Sequence, residues 1–349
     1  MIKQRLHHFD VIKGIAILLV VMGHVMIFGI HDIDKAFIFK LIDKIHMPLF
    51  FFISGYFTYK FNNGNIVKPN ISSRFKQLIV PFFCVSTIWI YYFPHSGIES
   101  PLNSTWHGLY NNYWKNGYWF TLCLFELILI YYLSVPLLNK LKKISYQILL
   151  IILAYFLIGI LTRVGSPEIN VYLGLALLFQ FFPIFFIGIL ARKYSEIYNS
   201  VLSNNVAITT SILGGGFLIY YVCYFWEFPK MPHMFVELMT SIGHIAVVTV
   251  AFAIIKPWSE KEFSSNKPSQ IIIGLQYLGK ESLSIYLLHY FFLFPMTALR
   301  QPMIDMGLGF VPLFVVSIII SLAIIAITLG VSNIISRSKL LSTILLGKV

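Results

Sequence analysis

The sequence predicts an all-α fold: a polytopic membrane helix bundle of about ten transmembrane helices, with both termini in the cytoplasm. Three observations predict it. Charged residues make up only 11% of the 349 residues, where a soluble domain carries roughly 25%. Hydrophobic residues make up 58% and the mean hydropathy is +0.78, more apolar surface than a water-soluble globule can bury. The apolar runs are continuous rather than alternating over ~10 residues, so the spans are helices and not barrel strands.

The first apolar segment, about 12–31, follows the basic start MIKQRLHHFDVIK. It lacks a small-residue cleavage site and therefore reads as a retained helix, not a signal peptide. Nine further segments follow at about 45–60, 77–94, 118–137, 144–161, 171–190, 206–226, 236–255, 275–295 and 311–334. With the N-terminus inside, the outside loops hold Lys35, Lys40, Lys44, Lys115, Arg163, Lys230 and Arg300, leaving 19 of the 26 Lys and Arg residues inside. That asymmetry satisfies the positive-inside rule, and an even number of spans agrees with it. The longest outside loops, about 95–117 and 32–44, are too short for a separate domain. One transmembrane domain over 1–349, with no appended soluble domain, is expected.

Cys84, Cys123 and Cys223 all lie in apolar segments and no CxxC pair exists, so neither a disulfide framework nor a metal site is expected. The net charge of +12 is spread over short loops and does not imply a nucleic-acid partner.

An ionisable group inside a span is costly, which makes each one a functional candidate. Four stand out: His24, Glu126, His244 and His289. His24 lies eleven residues beyond Lys13, about 16 Å along a helix and about three turns on, so the two share a face. Asp10 falls within about 40° of that face at 100° per residue. His289 lies about thirteen residues into the ninth span, at a depth comparable to His24. Glu126 enters from the outside on the fourth span, roughly 12 Å down. The three can share a cavity if their helices are neighbours. A lone membrane histidine commonly bonds a neighbouring helix and does nothing more, and His244 is read that way. Gly214, Gly215 and Gly216 read as sites of close helix packing. In the second cytoplasmic loop, NISSRFKQLIVPFF, Arg74 and Lys76 sit at the mouth of the third span. They suit a phosphate-bearing ligand, or serve as ordinary positive-inside anchors.

These residues carry a resemblance. FDVIKGIAILLVVMGH, in which Lys13 precedes His24 with ten residues between, resembles the opening of the acyltransferase-3 family of integral membrane acyltransferases. HMPLFFFISGYF (46–57) resembles that family's second-span signature, and Arg74-Phe75-Lys76 before LIVPFF is similar to its basic R-x-R loop. YWFTLCLFELILIYYL (118–133), FFPIFFIGILARKY (181–194) and ESLSIYLLHYFF (281–292) resemble its later signatures in order, the last placing His289 on a family histidine. The resemblance covers nearly the whole chain. It implies a multi-pass cell-membrane O-acetyltransferase that moves acetyl, or a similar acyl group, from cytoplasmic acetyl-CoA onto an extracytoplasmic carbohydrate. The acceptor would be a glycan or lipid-linked saccharide of the cell envelope, met among membrane lipid.

On the implied roles Lys13, Arg74 and Lys76 hold the donor. Arg suits bidentate phosphate contact and Lys supplies a point charge. His24 is general base or transient acyl carrier, Glu126 fixes its tautomer, and His289 assists or lines the acceptor channel. Two positions carry Lys where the family favours Arg, which weakens the bidentate argument there. Some relatives bear an extra hydrolase-like domain with a Gly-Asp-Ser motif that this sequence lacks, so either the membrane domain completes transfer alone or a separate extracytoplasmic partner finishes it. The competing readings are a polysaccharide or lipid-linked sugar transporter, with the same groups as a proton relay, and a scaffold of a glycan assembly complex. A phosphate-bearing donor explains both the Lys13–His24 stripe and the basic loop, whereas a proton relay explains only the histidines.

Overall fold

The computed structural model describes residues 6–29, 37–92, 117–166, 169–170, 173–225, 233–265, 267–293 and 310–348. Lys3, Arg5, Lys35, Lys115, Lys230 and Arg300, used above to orient the chain, lie outside these residues, as does most of the 95–117 loop. In chain order the elements are α1 (His7–Gly29), α2 (Phe37–Thr58), the two-residue strands β1 (Phe61–Asn62) and β2 (Asn65–Ile66), and α3 (Ile71–Tyr92). Then come α4 (Trp119–Lys140), α5 (Ile144–Val164), α6 (Leu175–Lys193), α7 (Ser195–Ser203) and α8 (Asn205–Thr210). A π-helical turn, Ser211–Gly215, leads into α9 (Gly216–Phe225), followed by α10 (His233–Ser264), α11 (Gln270–Lys280) and α12 (Ser282–Leu288). A 3₁₀ turn, His289–Phe292, precedes α13 (Phe310–Ile335) and α14 (Lys339–Leu346). Among the described residues the fold is all-α apart from one hairpin.

Six described helices are long and apolar enough to cross a membrane: residues His7–Ile27, Trp119–Lys140, Ile144–Val164, Leu175–Lys193, Phe235–Ser264 and Phe314–Ile335. The pair Ser195–Ser203 and Asn205–Tyr221 adds a seventh if it forms one span bent by 74°. This bend and the break in the ninth predicted segment have local reasons. The bend before α8 is fixed by Asn204, whose side-chain oxygen accepts from Val206 N and Ala207 N, the usual role of Asn at a helix start. The ninth segment breaks at Glu281 between α11 and α12 and tightens into the 3₁₀ turn at His289.

The chain forms two compact units, residues 1–50 with 199–337 and residues 51–198 with 338–349. In the first, α1 is the buried stave. Val11, Ile12, Ala16, Ile17, Val21, Val25 and Met26 have no exposure, as expected of a helix apolar on all sides. It packs on α10, α11, α12 and α13. The crossing with α11 is backbone against backbone. A Cβ on Gly14 would overlap the Leu275 carbonyl, and one on Gly279 would overlap the Asp10 carbonyl. Toward the other end of α1, Met22 and Met26 pack with Ile42 of α2, ringed by Leu19, Phe39, Phe314 and Ile318. Of the three consecutive glycines, only Gly215 is a packing position, against Ala246. Gly214 and Gly216 face open space, and the run forms the π turn instead, where weak helix formers let the backbone loosen.

In the second unit α4 packs on α3 and α6, α5 on α6, and α14 on α3. The loop before α3 holds a hairpin that the sequence reading did not include. Asn63 (φ 49°) and Gly64 (φ 78°) supply the two positive φ angles of a tight two-residue turn. Asn139 of α4 pins it, accepting from Ile66 N at 2.8 Å and donating to Ile66 O at 3.1 Å.

Candidate functional site

The site is built where α1 meets the end of the broken ninth segment. His24 is half-buried on α1, and His289 is fully buried at the first position of the 3₁₀ turn. Their rings face each other at 5.0 Å between centroids, and His24 Nδ1 lies 2.8 Å from His289 Nε2. The remaining nitrogen of His289, Nδ1, lies 2.9 Å from the Ile285 carbonyl oxygen and 2.8 Å from that of Tyr286.

These contacts fix the protons. A carbonyl oxygen only accepts, so His289 Nδ1 carries a hydrogen and Nε2 of the neutral ring is an acceptor. His24 Nδ1 must then donate to it. His24 Nε2 is left with the lone pair, and the Tyr290 hydroxyl, 2.9 Å away, donates to that nitrogen. The result is one directed chain: Tyr290 O–H to His24, His24 N–H to His289, His289 N–H to the backbone. A neutral imidazole held in a single tautomer with its basic nitrogen toward a hydroxyl is the arrangement that general-base chemistry requires.

His46 of α2 belongs to the same environment. It lies within electrostatic reach of His24 and is buried, and its Nδ1 donates to the Ile42 carbonyl oxygen at 2.6 Å.

The structure thus brings His24 and His289 together, as the depth argument anticipated. Lys13 and Asp10 share a face of α1, with Lys13 Nζ 2.9 Å from Asp10 Oδ1, so the ammonium is engaged by a carboxylate on its own helix. Beside this pair, His7 stacks on Phe263 at 4.3 Å and is hydrogen-bonded to Gln276 of α11. Glu126, Arg74 and Lys76 belong to the second unit. Glu126 is half-buried on α4 and Lys76 is exposed on the first turns of α3. Arg74 donates from Nη1 to Gln77 Oε1 at 2.7 Å, one turn along the same helix. Asn70 caps that helix by accepting from Ser73 N at 3.1 Å. Lys68, just ahead of it, lies over the Tyr132 ring at 4.6 Å.

Sequence reasoning missed Tyr290 and His46. Both stand inside quoted motifs, but Tyr290 was hidden by its neighbour, because adjacent residues of a regular helix point about 100° apart. Only the local turn puts both against one ring, at 4.3 Å between His289 and Tyr290 and 4.7 Å between His24 and Tyr290.

The comparisons with known proteins agree with the sequence motifs. The profile of the acyltransferase-3 family, described as an acyltransferase domain, matches residues 6–328. The chain is 35% identical over 119 residues to the nodulation protein NolL of Sinorhizobium fredii, covering 30% of this chain and 31% of that one. It is 38% identical over 91 residues to the NolL protein of Mesorhizobium japonicum, covering 23% of each chain. The matched stretch therefore spans less than a third of either relative. No solved structure matches. With the family profile running through both histidine-bearing segments, the chain belongs to the acyltransferase-3 family of integral membrane acyltransferases.

Proposed function

We propose that the protein is a membrane-bound O-acyltransferase that takes an acetyl group from cytoplasmic acetyl-CoA and places it on a carbohydrate hydroxyl outside the cytoplasm. The observation that carries this reading is the directed chain through His24 and His289, with a hydroxyl already hydrogen-bonded to the basic nitrogen. Family membership supplies the reaction class.

In this reading His24 Nε2 is the base on which the acceptor's deprotonation depends, and His289 holds His24 in the reactive tautomer through the bond to Nδ1. Lys13, Arg74 and Lys76 meet the phosphates of the donor, a phosphate displacing Asp10 from Lys13. Glu126 keeps the part expected of it, a carboxylate partner that fixes the same tautomer. Ten spans in the cell membrane with both termini inside put the basic groups on the cytoplasmic face. The acceptor is a glycan or a lipid-linked saccharide, and a separate extracytoplasmic protein can complete transfer.

Mass spectrometry of surface glycans from a deletion strain tests the reading. Loss of O-acetyl groups from one glycan, with its export intact, is the expected result. Unchanged acetylation in every glycan with reduced export would replace the enzyme by a transporter.

A further inference from the structure

The lone pair of His24 Nε2 does not open directly toward an incoming acceptor; the Tyr290 hydroxyl covers it at 2.9 Å. Tyr290 is itself buried, at 4% exposure. Its ring lies against both imidazoles, 4.7 Å from His24 and 4.3 Å from His289 by centroids. It also follows His289 directly in the 3₁₀ turn, so one backbone turn positions both side chains against His24. An acceptor hydroxyl must then reach the base through the phenol.

Resting on the acyltransferase reading above, we propose that Tyr290 is the proton relay between the acceptor hydroxyl and His24. A phenol oxygen accepts a hydrogen bond while donating one, so the acceptor O–H docks on the Tyr290 oxygen as Tyr290 donates to His24. As the acceptor oxygen bonds to the acyl carbon, its proton passes to the Tyr290 oxygen and the Tyr290 proton passes to His24 Nε2. The thioester C–S bond breaks, and the proton returns by the same relay: Tyr290 gives its proton to the leaving coenzyme A thiolate as His24 Nε2 gives one back to the Tyr290 oxygen. Tyr290 ends protonated and His24 neutral, as they began. The imidazolium formed in between is stabilised by the bond from His24 Nδ1–H to His289 Nε2.

Tyr290→Phe keeps the ring and deletes the relay oxygen. It should lower kcat by about 10²-fold or more, the usual loss when a proton-transfer group is removed. The KM for acetyl-CoA should not change. Difluorotyrosine at the same position keeps ring shape and hydroxyl but acidifies the phenol. It should retain activity, with the pH dependence of kcat displaced to lower pH.

Unchanged or raised kcat in Tyr290→Phe, or a pH profile indifferent to the fluorines, overturns the relay. If the wild type transfers no acyl group at all, the parent reading fails, and reactivity of His24 then decides the present one. Diethylpyrocarbonate attacks the unprotonated imidazole nitrogen, so His24, mapped by mass spectrometry, should be modified faster in Tyr290→Phe. An equal rate would show that the phenol does not cover Nε2.

Discussion

At the scale of single residues, the tautomer assignment separates roles that a motif leaves merged. His24→Ala removes the basic nitrogen and should cut transfer by about 10²–10⁴-fold while leaving acetyl-CoA binding in place, because no donor contact is lost. His289→Ala removes only the acceptor for His24 Nδ1–H. It should lower kcat less than His24→Ala, and at unchanged donor affinity. Kinetics on monodisperse protein, with donor binding measured separately, check both. Lys13 should fail differently. Lys13→Ala should weaken donor binding and Lys13→Arg should restore it, since a guanidinium keeps the charge that answers both Asp10 and a phosphate. Calorimetric titration with acetyl-CoA reads this. His24 and His289 were legible in the sequence because an ionisable group in an apolar run advertises its cost, and Lys13 because helical spacing sets it on the face of His24. Tyr290 was not, because a tyrosine carries no such penalty signal until a partner is seen against it, whereas His46 carries it inside the predicted span 45–60 and was passed over.

At the scale of elements, the site depends on how closely α1 approaches α11, since α12 and the His289 turn follow directly from α11. Gly14 and Gly279 make that approach possible by presenting no side chain to the opposing carbonyl. Gly14→Val should therefore destabilise the protein by about 1–3 kcal/mol, the usual cost of overpacking, and lower activity by separating His24 from His289. Gly214→Ala should be neutral or slightly stabilising, because it meets nothing within 4 Å and alanine is the better helix former. Thermal unfolding in detergent distinguishes the two. Sequence reading treated the consecutive glycines as the packing site and passed over Gly14 and Gly279. Composition marks small residues but not what faces them. The break at Glu281 was legible: Lys280, Glu281 and Ser282 interrupt the apolar run there, and a single span over 275–295 reads across it. The Asn63-Gly64 hairpin was likewise a short-range signal of the kind a sequence carries openly, overlooked inside a loop read only for its charge.

At the scale of the whole molecule, the all-α membrane class was visible in composition together with the continuity of the apolar runs. Chain length and hydropathy identify six described helices that can cross a bilayer. The ten-span topology rests besides on loop charge, and cysteine-accessibility mapping tests it: labels at both termini should react only from the cytoplasmic side. If exposed cations hold the donor, acetyl-CoA affinity should fall as salt rises, because such contacts are screened over about 8–10 Å at physiological ionic strength. A salt-insensitive affinity would remove Lys13, Arg74 and Lys76 from donor binding together. The most direct test of the central claim supplies acetyl-labelled coenzyme A to the cytoplasmic face of inverted native membrane vesicles and follows label into glycan. Vesicles bearing the wild-type protein should transfer label, and vesicles bearing an equal amount of folded His24→Ala should not. Equal transfer by the two would contradict the assignment of His24 as the group that activates the acceptor.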